Sequence, residues 1–556
     1  MISGDVQRRR RRAAVLLAGY GAALLALLLR VGQLQVGRHE DLARLSDRNR
    51  LRPRVEQPTR GRIYDRKNRI LVDNRPSWTV TLAPVVLGEQ ERTIRMLAGI
   101  LEMDPGEITA RLAERRGHLY TPVPIKRDVR FEVVARIKER EADMPGVEIQ
   151  MEPRRRYPYG QLGAHMLGYL REIDDGELGR RQMEGQDYIF GDLVGRDGIE
   201  RAYEPVLRGA KGVRYMEVDA RGRSLRRAED RPGRSPDHGD DLVTTIDAQV
   251  QLAAQEAFHD TARGSVVAID PRDGALIVLA SVPEYDPMDF SGVLDSETWR
   301  RLQSDPSKPL LDRTIAGLYP PASTFKVVTA LAGLQSGVIT PDTRLDPCVP
   351  GGWRFGTRHF KCWTPDHGRL TVRGALEQSC DVFFYQVGVR VGLDELHRTA
   401  AAFGIGETTG LAVHGEMEGS FPDRAWYDRR LGAGRWNPSS QVINLSIGQG
   451  EVLATPLQVA VMTAAFANGG KRVTPFLTRY RIPREGGPLV PMSQPAPEPI
   501  PAVDPSALEV VREGMVRVMN GEEGTARYLA PRLPGITVAG KTGTGQNPHG
   551  EDHAWF

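Results

Sequence analysis

The stretch YPPASTFKVVTAL, residues 319–331, places Ser323 at the expected start of an apolar helix and Lys326 three positions later. On a helix, side chains three positions apart lie on one face, about a turn from each other. Serine is a weak nucleophile until a base takes its proton, and a lysine neutralised by burial is such a base. Serine is also a preferred helix N-cap. Two interpretations are therefore open, a nucleophile with its base or a structural cap.

Two further polar groups of residues follow downstream, and each has a structural alternative. Ser379 and Asp381, in QSCDVFFYQVG, precede an apolar helical run, where an N-cap is the plain interpretation. Lys541 and Thr542, in VAGKTGTGQ, follow the strand-like run 535–540, where a β-turn is the plain interpretation. The chain order S-x-x-K, S-x-D, K-T-G is typical of serine acyl transferases. Only the combination favours a nucleophilic Ser323.

Length and composition set the class of protein. A chain of 556 residues is too long for one compact core, so we expect two or more folded units. With 40% hydrophobic and 26% charged residues, the composition is globular. A formal net charge of +4 is too close to balance to predict a nucleic-acid partner.

The N-terminal segment predicts a membrane anchor. The arginines 8–12 are followed by AAVLLAGYGAALLALLL, which carries no charge, and the apolar path continues to residue 36 if Arg30 snorkels. We predict a basic cytoplasmic tail over 1–12 and a transmembrane helix over 13–36. The positive-inside rule places the rest of the chain on the other side of the membrane. A cleaved signal peptide is the alternative, but the apolar run is long and lacks a clear cleavage site.

The remaining chain divides where Pro, Gly and charge concentrate, in EDRPGRSPDHGDD at 229–241. We predict a pedestal domain over 37–240, of mixed helices and short strands, and a second domain over 241–556. The second domain opens with a helix capped by Asp247 and a hairpin turning at PRDG within 264–286. Further helices are predicted over 323–336, 372–391 and 456–468. The fold class is therefore α+β and multidomain, with an antiparallel sheet.

With its motifs in place, the chain resembles the class B penicillin-binding proteins, which are peptidoglycan D,D-transpeptidases. Four stretches outside the motifs carry the same resemblance: RGRIYDRKNRILVDN (60–74), YPYGQLGAHMLGYL (157–170), GRDGIERAYEPVLRG (195–209) and IGQGEVLATPLQ (447–458). Asp381 and YPPASTFK are most similar to the penicillin-binding protein 2 subfamily of cell elongation. The resemblance implies an elongated pedestal and a penicillin-binding/β-lactamase-like domain with helices on both faces of its sheet.

The resemblance also implies roles for the motif residues. Ser323 would attack the carbonyl of the penultimate D-Ala of a stem peptide and release the terminal D-Ala. Lys326 would take the serine proton, Ser379 would relay a proton to the leaving amine, and Asp381 would orient both. The product is an acyl-enzyme, which the amine of a second stem peptide resolves into a cross-link.

The K-T-G segment is expected to bind the substrate. Lys541 and Thr542 would hold its carboxylate, Gly543 belongs to the same motif, and the backbone N–H groups of Ser323 and Thr544 would form the oxyanion hole. No cofactor is required for this chemistry. D,D-carboxypeptidase activity is an expected accompaniment.

The implied partners and location follow from the same resemblance. They are peptidoglycan stem peptides as substrates, β-lactams as inhibitors, a membrane glycan polymerase with other elongation-complex proteins, and the bacterial inner membrane. Two other functions stay open: a serine β-lactamase, since STFK occurs there too, and a β-lactam-binding scaffold or sensor without turnover.

The three cysteines offer a metal site or a disulfide. Cys348, Cys362 and Cys380 lie close in sequence, and His367 completes a Cys3His set that suits tetrahedral zinc. Asp346 is an alternative oxygen ligand. In an oxidising periplasm, one disulfide with a free thiol is the competing expectation. The zinc would be structural, and relatives in the elongation subfamily resemble this chain in having zinc beside the second motif.

The chain stops at HAWF, residues 553–556, where the family continues with further sheet strands and a C-terminal helix. We therefore expect a fragment of a longer reading frame, and we expect the chain as written to be unstable or inactive because the strand GITVAGKTGTG, residues 535–545, would lack a neighbour.

Overall fold

The structure is a computed structural model. It describes residues 3–42, 50–83, 90–113, 122–218, 224–228, 231–258, 263–290, 296–484, 486–530, 535–548 and 550–556. The chain forms two compact units. The first contains Met1–Pro58, Pro76–Glu152 and Ala210–Asp237, and the second contains Thr59–Arg75, Pro153–Gly209 and His238–Phe556. Two segments before residue 240 thus belong to the second unit, whereas the predicted domains were continuous in sequence.

The first unit begins with the predicted anchor helix. Ser3–Gly32 is α-helical and continues as a π-helix over Gln33–Gly37. The helix over residues 7–37 is long enough to cross a membrane. Its most apolar window has a mean hydropathy of 2.1, and none of that window is buried. A single such helix occurs in the described part of the chain.

The rest of the first unit is a small α+β fold. Its strands and helices are Leu51–Glu56, Ile70–Leu82, Gln90–Leu101, Pro105–Ala113, Val123–Val129, Phe131–Glu139, Glu141–Asp143 (3-10), Val147–Arg156, Gly212–Val218 and Ser224–Arg227, of which residues 70–75 and 153–156 belong to the second unit. Leu51–Glu56 pairs antiparallel with Gly212–Val218, and residues 78–82 pair antiparallel with Val123–Val129. The three helices after residue 90 bury an apolar cluster that includes Leu97, Ile108 and Ile137.

The second unit carries most of the chain. Its strands are Ile63–Tyr64, Leu170–Glu172, Leu193–Gly195, Asp241–Thr244, Gly264–Ile269, Leu276–Val282, Trp353–Phe355, Arg358–Phe360, Lys471–Arg472, Thr478–Ile482, Val490–Pro491, Glu498–Pro499, Gly543–Gly545 and His553–Trp555. Its α-helices are Ala164–Leu167, Asp175–Met183, Gly198–Ala202, Glu204–Leu207, Ala248–Glu256, Ser296–Ser304, Lys326–Gln335, Val372–Glu377, Asp381–Val391, Leu393–Ala402, Arg424–Leu431, Pro438–Leu445, Pro456–Ala467 and Pro505–Asn520. Short 3-10 turns occur at Pro287–Phe290, Ala322–Phe325 and Arg527–Leu529.

Several predicted elements are confirmed. Gly264–Ile269 and Leu276–Val282 form an antiparallel hairpin, and Asp247 caps its helix by accepting a hydrogen bond from the Gln249 N–H. The α+β class is confirmed, although the sheet is not wholly antiparallel because Asp241–Thr244 lies parallel to Ile63–Tyr64. That partner strand comes from the segment before residue 75, which no local pattern could reveal.

Two local predictions are wrong. The helix predicted over 372–391 is interrupted, because Ser379 has φ +53°, in the left-handed region that ends helices. The strand predicted over 535–540 is absent, because its backbone turns to a neighbouring helix: the Gly540 N–H donates to the Met515 carbonyl, and Asn520 Nδ2 donates to the Val538 carbonyl. The strand begins later, at Gly543.

The core of the second unit forms around helix Lys326–Gln335. Every residue of this helix from Lys326 to Gly333 is buried, and it packs among the apolar faces of Val372–Glu377, Asp381–Val391 and Pro505–Asn520. A helix that is apolar nearly all round belongs inside a core. Lys326, the first residue of this helix, is therefore buried within the core.

Candidate active site

Ser323 lies in a tight turn that leads into the central helix. Ala322–Phe325 is a 3-10 turn, and Ala322 before the serine has φ +52°. The turn is supported by Gly448, whose carbonyl accepts from the Ala322 N–H at 2.8 Å. A Cβ on Gly448 would come within 2.3 Å of the Ala322 carbonyl oxygen, so only glycine allows this approach. The half-buried serine is thereby presented at the edge of the core.

Lys326 follows one turn later and is fully buried. Its Nζ donates to Asp381 Oδ1 at 2.6 Å, to the Ser379 carbonyl at 2.8 Å and to Ser379 Oγ at 3.2 Å. All three acceptors come from the break between the helices that end at Glu377 and begin at Asp381. The interrupted helix therefore supplies the partners of the buried lysine.

Ser379 joins the first motif to the third. Lys541 Nζ donates to Ser379 Oγ at 2.8 Å and to the Thr542 carbonyl at 2.8 Å. Ser379 Oγ thus lies between two ammonium groups, those of Lys326 and Lys541. Ser379 and Lys541 are each only 5% exposed. A continuous polar chain of lysine, serine and lysine results.

The K-T-G segment lies beside Ser323. Gly543–Gly545 pairs antiparallel with His553–Trp555, so the expectation that the K-T-G strand would lack a neighbour is wrong. A Cβ on Gly543 would lie 3.3 Å from the backbone nitrogen of Ser323. Thr542 Oγ1 hydrogen-bonds to Thr525 Oγ1 at 2.8 Å, while Thr544 is exposed. The strand therefore runs along the serine turn with its threonines at the edge.

The charge of this cluster is unbalanced. The ionisable groups that act on Lys541 are Lys326, of like charge, and Asp381, of opposite charge. Burial, followed by the Lys326 ammonium, lowers the pKa of Lys541 well below the usual lysine value. The cluster is thus poised to accept an anion or to give up a proton, and strongly shifted groups of this kind are typical of functional sites.

The structure brings together every motif residue that the sequence singled out. Ser323, Lys326, Ser379, Asp381 and Lys541 lie in one cluster, with Thr542, Gly543 and Thr544 on the adjoining strand. Within the described part of the chain, no hydrogen bond joins Ser323 Oγ to Lys326. Catalytic hydrogen bonds are often long without substrate and tighten only when it binds.

One residue in contact with the second motif, Trp363, was not predicted. Trp363 donates from its backbone N–H to Asp381 Oδ2 at 3.2 Å and from its indole Nε1–H to the Ser379 carbonyl at 3.2 Å. Its side chain is nevertheless 62% exposed. The only sequence signal was its place next to Cys362, so the cysteine loop reaches the second motif through this tryptophan.

The predicted metal ligands also converge. One donor atom from each of Cys348, Cys362, His367 and Cys380 lies within 4.8 Å of the others, and all three cysteines are free thiols. A tetrahedral zinc ion is bound at about 2.3 Å to sulfur and about 2.0 Å to nitrogen, which requires donor atoms less than 4.8 Å apart. The four donor atoms meet this requirement. Asp346 is not in the set; its backbone N–H and carbonyl pair with the Gln386 amide.

The thiols are coupled to the second motif. A hydrogen bond between Cys380 and Cys362 lowers the pKa of Cys362 and raises that of Cys380. The Asp381 N–H in turn donates to Cys362 Sγ at 3.1 Å. The cluster therefore supports the backbone that carries Ser379 and Asp381.

Family models match most of the chain. The penicillin-binding protein transpeptidase domain matches residues 264–556, and the penicillin-binding protein dimerisation domain matches residues 55–244. The peptidoglycan D,D-transpeptidase MrdA of Escherichia coli strain K12 is 34% identical over 542 residues, which are 96% of this chain and 84% of MrdA.

Solved structures agree with these matches. Penicillin-binding protein 2 from Helicobacter pylori, in a complex with MreC, has a TM-score of 0.77 and 29% identity, covering 91% of this chain and 92% of its own. A chain from a structure on the coordination of polymerization and crosslinking by a peptidoglycan synthase complex has a TM-score of 0.67 and 31% identity, covering 97% of this chain and 89% of its own.

Proposed function

The chain belongs to the penicillin-binding protein transpeptidase family, and we propose that it cross-links peptidoglycan through an acyl-enzyme on Ser323. The observation that carries this proposal is the polar chain Lys326–Ser379–Lys541 beside the serine turn. Such a chain offers a proton acceptor, a relay and a cation to one substrate. The similarity to penicillin-binding protein 2 and MrdA favours a role in cell elongation and cell shape.

Acylation begins when Ser323 Oγ attacks the carbonyl carbon of the penultimate D-Ala and its proton passes to Lys326. Ser323 needs this acceptor because a serine hydroxyl is a weak nucleophile until a base takes its proton. The backbone N–H groups of Ser323 and Thr544 stabilise the oxyanion. The peptide bond then breaks, and the leaving nitrogen takes a proton through Ser379, so the terminal D-Ala departs as a neutral amine.

Substrate binding corrects the unbalanced charge. A stem peptide ends in a carboxylate, and Lys541 with Thr542 lies where that carboxylate would be held. The substrate carboxylate supplies a second negative charge beside that of Asp381, so each of the two lysines then has a counter-ion. It also stabilises the ammonium form of Lys541. Asp381 holds Lys326 in place, and Trp363 holds Asp381.

The ester is resolved by a second nucleophile. When a stem-peptide amine attacks, it loses a proton to the Ser323 oxygen and forms the cross-link. When water attacks instead, the outcome is D,D-carboxypeptidase activity. No metal or organic cofactor takes part in either reaction.

The test is a cross-linking assay with a D-Ala-D-Ala stem pentapeptide as donor and a stem-peptide amine as acceptor. We expect the chain to release D-Ala and form the dimer, whereas Ser323→Ala forms none. Ser336→Ala is the matched control, because Ser336 ends the same helix and bonds only to its carbonyls. Retained cross-linking in Ser323→Ala, in a folded protein, would refute the proposal.

Two rival functions give different results in a related experiment. A serine β-lactamase would hydrolyse its penicillin adduct rapidly, whereas a transpeptidase keeps the adduct for long periods. A scaffold or sensor would keep the adduct but would not release D-Ala from the stem pentapeptide. Measuring adduct lifetime and D-Ala release on one preparation therefore separates all three functions.

We also propose the location and partners. The apolar helix at residues 7–37 anchors the chain in the bacterial inner membrane, with the arginines at 8–12 on the cytoplasmic side and the catalytic domain in the periplasm. The complexes reported for similar proteins, with MreC and in a peptidoglycan synthase, favour elongation-complex proteins and a glycan polymerase as partners. Stem peptides are the substrates and β-lactams the inhibitors.

Cys348, Cys362, His367 and Cys380 would hold a structural zinc ion. The ion would supply cross-links between the loop and the second-motif helix, and no catalytic chemistry. These residues would then fix the loop from which Trp363 reaches Ser379 and Asp381. Metal analysis should find one equivalent of zinc, lost in Cys348→Ser. Purified protein without zinc but with a Cys348–Cys362 disulfide would refute the site.

A further inference from the structure

A cavity lies within the second unit, and none of the motif residues lines it. Its volume is ≈ 230 Å³, far more than one water molecule needs. The wall includes six residues with polar side chains, of which His414 is exposed: His165, Tyr169, Arg196, Asp197, Asp312 and His414. Apolar side chains complete the wall. Polar groups converging in an apolar pocket are typical of a ligand site.

His165 presents an unpaired acceptor to this cavity. The side chain is 5% exposed, and its Nε2 has no hydrogen-bond partner. Its other ring nitrogen bonds to the Pro283 carbonyl, which assigns the proton to Nδ1. Burial lowers the pKa of His165, which favours the neutral ring, in which Nε2 is an acceptor. A buried acceptor without a donor is costly unless a ligand supplies one.

Two carboxylates stand beside this acceptor. Asp197 Oδ1 accepts from the Gly198 N–H at 2.9 Å, and Asp312 Oδ1 accepts from the Thr314 N–H at 2.9 Å. Each carboxylate thus uses one oxygen in its own turn and keeps the other for a further donor. All three residues line the same cavity, and both carboxylates act electrostatically on His165.

The nearby cations do not neutralise this cluster. The Nη atoms of Arg196 are paired with Glu177 at 2.6 Å and with Asp174 at 2.9 Å, while its buried Nε–H has no partner. The Arg313 guanidinium donates to backbone carbonyls, including that of Ser307, and does not line the cavity. The two carboxylates that pair with Arg196 already outnumber its single charge, so Asp197 and Asp312 leave the cavity acidic, and His165 adds an unpaired acceptor.

The geometry points to a binding site for a primary ammonium group on an unbranched alkyl stem. Three acceptors, from His165, Asp197 and Asp312, match the three N–H donors of an ammonium ion. Met166, Leu279 and Leu310 offer apolar surface to the stem. A free small-molecule amine and a lysine side chain of another protein both carry this group. This inference does not depend on the chemistry at Ser323.

The test is calorimetric titration of the full chain, in an amine-free detergent, with pentylamine and with pentan-1-ol. We expect saturable binding of pentylamine and about tenfold weaker binding of the alcohol, because the charge-assisted bonds are lost. Asp312→Asn keeps the turn acceptor but removes the charge, and it should also weaken pentylamine about tenfold. Asp197→Asn, which keeps its own turn acceptor, should do the same.

Asp305→Asn is the matched control, because Asp305 accepts from the Ser307 N–H at 2.7 Å in the same kind of turn but does not line the cavity. The affinity of the Asp305→Asn variant for pentylamine should equal that of the wild type. A lysine-containing tripeptide with blocked ends identifies the source: tighter binding of the peptide indicates a protein lysine, and tighter binding of pentylamine a free amine. Failure of both probes to bind, or equal affinity in the wild type and both Asn variants, would overturn the inference.

Discussion

The second unit buries two charged clusters of opposite design. In the first, Arg60 and Arg155 meet Glu200 and Glu204, with Arg60 2.6 Å from each glutamate and Arg155 2.7 Å from Glu200. In the second, Lys326 and Lys541 share the single carboxylate of Asp381. The first cluster is balanced and the second carries excess positive charge, although both are buried.

The pKa shifts follow this difference. Although burial opposes it, the charges of Glu200 and Glu204 raise the pKa of Arg60. For Lys541, burial and the like charge of Lys326 act together and lower its pKa. A balanced cluster holds its ions in one state, so that removing one partner is costly, whereas an unbalanced cluster leaves a group ready to change state. Mutations should separate the two roles.

The largest expected effect is on the rate of acylation in Lys326→Met. Loss of the base should slow labelling by a fluorescent penicillin by about 10²–10⁴-fold. Lys471→Met, at an exposed lysine, is the control and should label normally. If Lys326→Met stays folded and labels at the wild-type rate, Lys326 is not the base.

The next effect is on stability in Arg60→Met. Removing one partner leaves Glu200 and Glu204 undercompensated, which should cost about 3–5 kcal/mol of unfolding free energy in urea. The penicillin labelling rate per folded molecule should be unchanged. Arg62→Met removes a partly exposed pair with Asp73 and should cost less than about 1 kcal/mol. Equal losses in the two variants would contradict the assigned role of the balanced cluster.

Glu204→Gln should have a smaller, pH-dependent effect. Although burial opposes it, Arg60 lowers the pKa of Glu204 below its usual value of 4.5. A lowered pKa contributes stability that is present above pH 4.5 and is lost as pH falls through the folded-state pKa. The variant should therefore lose about 1.5–3 kcal/mol at pH 7 and show a flatter acid limb. Parallel acid limbs in urea titrations would disprove this.

Lys541→Met should increase the free energy of unfolding, whereas the two preceding variants decrease it. Because the folded-state pKa of Lys541 lies below 10.5, the unfolded chain binds more protons between those two pH values, and stability rises with pH across that window. Methionine removes the buried charge, so we expect roughly 1 kcal/mol more stability at pH 7 and no rise over the window. Binding of stem peptides should fall sharply. A destabilised Lys541→Met would show that Lys541 is structural.

The sequence predicted which residues lie together in the site better than it predicted their backbone geometry. Motif spacing identified Ser323, Lys326 and Lys541, because each lies next to a strong local pattern. It could not predict the left-handed backbone of Ser379, since non-glycine residues adopt that region only when packing imposes it. Nor could it predict Trp363, whose contacts with the second motif span more than a dozen positions.

The fold shows the same limit. The hairpin after residue 264 and the helix capped by Asp247 were predictable, because turn and cap residues act locally. The inclusion of Thr59–Arg75 and Pro153–Gly209 in the second unit was not. That assignment depends on long-range contacts such as the bonds of Arg60 with Glu200 and Glu204.

The central claim is that the unbalanced cluster is the acyl-transfer site and that Ser323 is its nucleophile. Peptide mass spectrometry after reaction with benzylpenicillin tests it most directly. The account predicts an adduct with the full mass of the intact penicillin on the tryptic peptide that ends at Lys326, localised to Ser323 and absent from Ser323→Ala. An adduct on another peptide, such as the one containing Ser379, or no adduct in a folded protein would contradict it.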